Sequence, residues 1–203
     1  MADRQVDEQK LIASARRGDL ESFNALVLLY QDQVYGVTYR IMGEAGGAAD
    51  MAQDTFITAF RKLDGYRGGS FRSWLLRIAT NTCYDELRRH KRRPATSLEE
   101  LPQAESDDGP TLPDPADTPE QVAQQQELSR AIQECINGLS ADQRIVLVMS
   151  DIEGYSYQEI ADTVGTPAGT VKSRLSRARV NVRRCLQAVQ ELLPSAYRLF
   201  SSE

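Results

Sequence analysis

Three residues in the first half of the sequence have the types and spacing to act together. Asp50, Gln53 and Asp54 stand at i, i+3 and i+4, so a helix would place two carboxylates and an amide on one face. Paired carboxylates can do acid/base chemistry. The same spacing also suits a helix N-terminus, where the dipole favours acids, a solvated face, or a patch that binds another protein. The rest of the chain gives catalysis little support. There is one histidine, His90, which removes His-rich metal sites and a Ser-His-Asp triad in any ordinary position. None of the thirteen glycines opens a G-x-x-x-x-G-K-[ST] loop or a G-x-G-x-x-G turn. Cys83, Cys135 and Cys185 are odd in number, far apart and without C-x-x-C spacing. They read as buried packing residues, and neither a disulfide scaffold nor a structural zinc site is expected. No catalytic residue, metal or cofactor is assigned, and the chain does not read as an enzyme.

The second chemistry is recognition of phosphates and bases. The formal charge is −5 and the isoelectric point is near 5.1, which taken alone argues against nucleic acid. Distribution reverses that inference. From Arg61 to Arg93 ten basic residues face three acids, and from Thr166 to Gln190 six more stand with no acid at all. In that second stretch Val171, Leu175, Ala178 and Val182 recur at helical steps and form a buried stripe. Ser173, Ser176 and Arg177 then lie opposite, with Lys172 and Arg179 on one flank and Arg174 on the other. A basic face of short side chains can enter a major groove, with Lys or Arg on guanine and flanking arginines on phosphates. His90, in the run Arg88 to Arg93 at a helix end, suits either a phosphate contact or a solvated terminus.

These residues need elements to hold them. At 203 residues the chain has room for one ordinary domain or two small ones. Its longest apolar runs, Leu26 to Tyr30 and Ile145 to Met149, fall far short of the roughly 20 residues a membrane span needs. Asp3, Arg4, Asp7, Glu8 and Lys10 stand where a secretory signal would be apolar, so a cytoplasmic location without membrane insertion is expected. Residues 94–117 are rich in acid and proline, lack Lys and Arg, and read as a flexible acidic linker. The expected fold is all-α, with helical domains over 1–93 and 118–203. In the first, helices are predicted over 19–42, with Asp19 as cap and Gly43 as stop, and over 48–63, with Ala52, Phe56, Phe60 and Leu63 inward. The glycine-rich loop 65–70 follows, and then a helix capped by Ser70, buried through Phe71, Trp74, Leu75, Ile78 and Leu87, with Arg77, Asn81, Tyr84 and Arg88 outward. In the second, Thr118-Pro119 opens a helix, and Ser140-x-x-Gln143 and Ser156-x-x-Glu159 read as capping boxes. A short helix, the turn Gly165-Thr166-Pro167 and a longer basic helix make a helix-turn-helix signature.

Four segments then carry a resemblance: Asp50-Met-Ala-Gln-Asp-Thr-Phe56, Phe71-Arg-Ser-Trp-Leu-Leu-Arg-Ile-Ala-Thr-Asn81, Tyr155-Ser-Tyr-Gln-Glu-Ile-Ala161 and Gly169-Thr-Val-Lys-Ser-Arg-Leu-Ser-Arg-Ala-Arg179. Together they resemble the extracytoplasmic-function group of bacterial sigma factors, over about 10–93 and 119–187. The resemblance implies a region 2-like bundle and a region 4-like helix-turn-helix. It implies that Asp50, Gln53, Asp54 and Phe56 grip the clamp helices of the RNA polymerase largest subunit. Tyr66, Arg67, Gly68, Gly69, Ser70 and Phe71, with Arg77, Asn81, Tyr84 and Arg88, would recognise and melt the minus-ten element by capturing an unpaired base. Thr170, Lys172, Ser173, Arg174, Ser176, Arg177 and Arg179 would meet the minus-35 element. Ser176 departs from the family, where many relatives carry a larger residue. The implied partners are core polymerase, including its flap, promoter DNA and an anti-sigma factor. The competing reading is a stand-alone helix-turn-helix regulator that binds duplex DNA without polymerase.

Overall fold

Helix α2, Leu20–Met42, is delimited by its own residues. The Asp19 carboxylate accepts from the Glu21 amide at the start, and Gly43 takes the left-handed conformation at the end, φ 85°, with its N–H on the Tyr39 carbonyl at 2.8 Å. The structure, a computed structural model, describes residues 2–92 and 118–189, and every regular element among them is helical. Before α2 comes α1, Ala2–Ala15, and after it α3, Ala45–Lys62, a 3-10 turn over Leu63–Gly65, and α4, Phe71–Arg92. The second half has α5, Pro119–Asn137, and α6, Ala141–Leu147, which runs into a π turn over Val148–Ile152. Helices α7, Tyr157–Val164, and α8, Ala168–Ala188, complete it. The stretch 94–117 lies outside the described residues.

In the first half α2 is packed by α1, α3 and α4, with Leu26, Val34, Val37 and Ile41 at most 1% exposed. In the second half α6 and its π turn, Ile145 to Met149, form the buried centre on which α7 and α8 pack, and α5 packs on α8. The two halves also touch, through α2 with α5 and α6 and through α4 with α6 and α7, so their apolar residues join in one cluster.

Three expectations are corrected. The buried face of α3 is Ala48, Met51, Thr55 and Ala59, not Ala52, Phe56 and Phe60; Leu63, just past the helix, is buried as expected. Small residues lie inward because α3 packs close against α2, where the buried Thr38 hydroxyl donates to the Ala48 carbonyl at 2.9 Å. Ala52 and Phe56 are half-buried and Phe60 is 38% exposed. The second correction concerns the caps. Ser156 and Glu159 form the expected reciprocal box, but the Ser140 side chain makes no capping bond, and Gln143 instead accepts from Asn181 of α8 at 3.4 Å. The third is that Cys135 of α5 and Cys185 of α8 form a disulfide, with Cα atoms 5.6 Å apart. The partners are 50 residues apart, so only tertiary packing brings them together. Cys83 is free and fully buried, and burial pushes its thiol up to about 12, so it stays protonated and out of exchange.

Closing a loop of this length removes denatured-state entropy worth about 2–4 kcal/mol. Urea unfolding of the full chain with and without a dithiol reductant should show a loss of that size, and the Cys135→Ser, Cys185→Ser double variant should lose as much and no longer respond to reductant. Equal midpoints in both conditions for the unmodified chain would show that the two thiols are not bridged.

Candidate functional site

The acidic patch is built on α3. Glu44 caps the helix, its carboxylate accepting from the Gly47 amide at 2.6 Å. With Ala48, Met51, Thr55 and Ala59 turned into the core, Asp50, Gln53 and Asp54 are all exposed on the opposite side. Gln53 and Phe56 also line a groove of about 890 Å³ between α2 and α3, whose walls include Leu20, Val27, Ile57 and Phe60. Leu20 is 60% exposed and Phe60 rests edge-on against Phe23, ring centroids 4.9 Å apart. Exposed apolar side chains rimmed by carboxylates are the composition of a protein-binding surface. Hydrophobic periodicity places Phe56 and Phe60 in the core, and for that reason the groove is invisible in the sequence.

The glycine-rich loop is anchored by aromatic packing. Tyr66 and Phe71 are 7% and 2% exposed, and with Trp74 their ring centroids lie 5.3–5.5 Å apart. The Tyr66 hydroxyl donates to the Gly69 carbonyl at 2.6 Å. Gly68 and Gly69 have φ of 92° and 91°, a conformation that side chains with a Cβ rarely adopt. Arg67, Gly68, Gly69 and Ser70 are therefore held out as an exposed rim, while Tyr66 and Phe71 position it. That rim borders a cavity of about 1130 Å³ whose far wall is α1, through Glu8, Gln9 and Ile12, with Arg16 just past its end. This wall leaves no mark in the sequence, because α1 carries no motif. Burial, and then the Glu8 carboxylate, push the Tyr30 hydroxyl up to about 12, so it stays a neutral donor there. Along α4, Arg77 and Arg88 are exposed, Asn81 and Tyr84 are half-buried, and the Arg88 guanidinium lies 5.4 Å from the Tyr84 ring centroid. His90 and Arg89 both pair with Glu86, at 2.8 and 2.6 Å.

Helix α8 follows a tight turn in which Gly165 has φ of 63°. Val171, Leu175 and Ala178 are buried as the stripe required. Lys172, Ser176 and Arg177 are exposed, and Thr170 and Ser173 are half-buried, the Ser173 hydroxyl donating to the Thr170 carbonyl at 2.9 Å. The flanking arginines are engaged within the chain. Arg174 pairs with Asp142 at 3.2 Å, and Arg179 makes a two-pronged pair with Asp151, at 2.6 and 2.9 Å. Lys172 and Arg177 make no ion pair among the described residues. The structure thus separates two cations open to an approaching ligand from two that brace α8 against α6 and the π turn.

These features coincide with known proteins. The family models for Sigma-70 region 2 and Sigma-70, region 4, match residues 26–93 and 129–182. The RNA polymerase sigma-H factor of Pseudomonas aeruginosa is 37% identical over 184 residues, 90% of this chain and 95% of that protein. The ECF RNA polymerase sigma-E factor of Escherichia coli is 36% identical over 176 residues, 86% and 92% respectively. The chain belongs to the extracytoplasmic-function sigma factors. Among solved structures this sigma factor is similar to RpoE of Bartonella quintana, determined with the anti-sigma factor NepR. The TM-score is 0.59 and the identity 26%, over 82% of this chain and 97% of that one. It also shares the fold of CnrH, determined with the cytosolic domain of CnrY, at a TM-score of 0.54 and 24% identity, over 90% and 98% of the two chains. No helix among the described residues is long and apolar enough to cross a membrane.

The Asp151–Arg179 brace has a pH signature. Hydrogen bonding to Arg179 holds the Asp151 carboxyl below its ordinary value of 3.8. A depressed folded value means the contribution is complete above the unfolded value and is lost as pH falls through the folded one. The pair is partly exposed, so it is worth about 1 kcal/mol at most. Asp151→Asn should therefore be less stable than the unmodified sigma factor near neutrality, and the gap in urea midpoint should narrow as pH falls below about 4. A gap independent of pH would show that the pair contributes through packing alone.

Proposed function

We infer that this sigma factor binds core RNA polymerase, recognises a minus-35 and a minus-ten promoter element, and promotes melting of the second. One observation carries the reading: a single chain presents three exposed surfaces of different chemistry. These are an acidic patch beside an apolar groove on α3, a glycine rim and basic stripe at the loop and α4, and a short-chained basic face on α8. A stand-alone helix-turn-helix regulator needs only the last. In this reading 1–93 is the polymerase-binding and minus-ten domain, 118–203 is the minus-35 domain, and 94–117 links them. Asp50, Gln53, Asp54 and Phe56 meet the clamp helices. Arg67 to Ser70 and Asn81 hold an unpaired base, with Arg77 and Arg88 on the strand's phosphates. Thr170, Lys172, Ser173, Ser176 and Arg177 face the minus-35 groove, with Arg174 and Arg179 on its flanks. The protein works where the polymerase is, in the cytoplasm, and a solved relative in complex with an anti-sigma factor supports the same class of partner for this chain. Sigma factors are initiation factors, and no catalytic step is assigned to any residue.

Two measurements test this reading. Asp50→Ala with Asp54→Ala removes two exposed carboxylates, so the fold should be unchanged while affinity for core polymerase falls by about 2 kcal/mol, the scale of an interface hot spot. Unchanged affinity would remove the patch from the polymerase interface. On α8, Arg177→Ala should cost about 1–3 kcal/mol on the preferred promoter and flatten selection at one or two minus-35 positions. Arg179→Ala should weaken all sequences alike, because its guanidinium braces the helix through Asp151 and meets no base edge. Competition against single-base promoter substitutions, with core bound, separates them, and identical profiles would refute the groove assignment.

A further inference from the structure

Glu8 stands where the packing of α1 calls for an apolar side chain. Leu11, Ile12 and Ala15, at i+3, i+4 and i+7 from it, form the stripe that α1 turns onto the core, with Ile12 7% and Ala15 3% exposed. A carboxylate on such a stripe is costly unless it is hydrogen-bonded. Glu8 is half-buried, lines the loop cavity and shares a hydrogen bond with the Tyr30 hydroxyl. Burial, and then Glu8, also push the Tyr66 hydroxyl up, so the carboxylate acts on two of the aromatic side chains that line the cavity.

Both sides of the cavity are tied in place. Arg16 donates to the Asp64 carbonyl at 3.3 Å and fastens the end of α1 to the turn that leads into the loop. On the other side the Tyr66 hydroxyl holds the Gly69 carbonyl, and a Cβ on Gly68 or Gly69 would meet nothing within 4 Å, so the mouth between rim and α1 stays open. Tyr30, Tyr66 and Phe71 line the inside, and about 1130 Å³ is room for a nucleotide. Aromatic walls accept any base by its face and do not choose among bases. The polar pair at the far wall can choose. Tyr30 is a neutral donor, and the Glu8 carboxylate keeps lone pairs after accepting from it. Cytosine and adenine present the complementary pairing edge, an exocyclic amine beside a ring nitrogen that accepts. Thymine and guanine present a carbonyl beside a ring N–H, which sets acceptor against acceptor and donor against donor.

We propose that Glu8, with Tyr30 beside it, selects the captured base of the minus-ten strand for an exocyclic amine, which makes α1, outside the segment matched by the region 2 model, a reading element. The proposal rests on the minus-ten reading of the loop and names the class of base it takes. On capture the amine donates to the Glu8 carboxylate, and the Tyr30 hydroxyl turns from Glu8 to the ring nitrogen. One hydrogen bond is exchanged and one is gained. A keto base instead leaves the carboxylate facing a carbonyl oxygen away from water, a loss larger than that of a missing bond alone. Arg16 is a positioning residue, because it sets how far α1 stands from the rim.

The test measures affinity of the full chain, bound to core polymerase, for forks whose unpaired minus-ten strand is varied one position at a time over the four bases. At one position the unmodified chain should prefer cytosine or adenine to thymine and guanine by about tenfold, and the same series tells the two amine-bearing bases apart. Glu8→Ala should flatten that position to within about twofold and leave the others unchanged. Glu8→Gln, which keeps the volume if the alanine variant fails to fold, should do the same, because its amide can turn to accept or to donate. Replacing the preferred base by the analogue that lacks only the amine, pyrimidin-2-one for cytosine or purine for adenine, should cost the unmodified chain the same factor and cost Glu8→Ala nothing. A merely structural role for Glu8 would not produce that coupling. An unmodified chain with no amine preference at any position, or a preference that survives in both variants, would overturn the proposal. Forks bound no better than closed duplex by the unmodified chain with polymerase would instead remove the minus-ten reading beneath it.

Discussion

The buried hydroxyl of Thr38 sets the spacing on which the first half depends. It donates to the Tyr35 carbonyl within α2 and to the Ala48 carbonyl across the interface, at 3.0 and 2.9 Å, and Thr38 is fully buried. A polar group so enclosed is tolerated because both helices satisfy it. Where it bonds, α3 turns the small residues Ala48, Thr55 and Ala59 inward beside Met51. The larger side chains of α3 are consequently displaced to its edge, where Phe56 and Phe60 line the apolar groove and the carboxylates ride above it. Close packing of one face therefore creates the binding character of the other.

Charge is organised by position in the same way. The chain is acidic as a whole, yet Lys172, Arg177, Arg77 and Arg88 stand exposed on two faces, while Arg174 and Arg179 are tied to Asp142 and Asp151. The pairing gives the cations two different roles. Those held by a carboxylate fix the orientation of α8, and those left open define where an anion can approach. Arg72 belongs to both groups, because its partner Glu153 comes from the other half of the chain.

What was legible in the sequence follows the range of the interaction involved. The limits of α2 were readable because Asp19 and Gly43 act on their own backbone, and the Ser156 box and the Gly165 turn are equally local. The exposed positions of Asp50, Gln53, Asp54, Lys172, Ser176 and Arg177 followed from helical phase. Phase failed on α3, where two phenylalanines outweighed two alanines and a threonine in any reading of hydrophobicity, while close helix contact favoured the small side chains. The Ser140 box failed because Gln143 found a partner on α8, 38 residues away. The bridge between Cys135 and Cys185, and the wall that α1 provides to the loop cavity, depend wholly on tertiary placement and leave no mark in residue spacing.

The contact at the end of α2, where Gln133 and Asn137 of α5 and Arg144 of α6 meet the main chain, is chemically one-sided. Every donor is a side chain from the second half, and every acceptor in the first half is a main-chain oxygen. Point mutation cannot delete a carbonyl, so changes at Tyr39, Ile41 and Met42 do not erase the acceptors they supply, although Ile41 is confined by the core it fills. Gly43 is constrained there by its φ and by the approach of Asn137. Heritable adjustment of the contact therefore falls on Gln133, Asn137 and Arg144, three positions outside all of the surfaces assigned to polymerase or promoter. Lineages can retune how firmly the two halves hold together without rewriting what either half recognises.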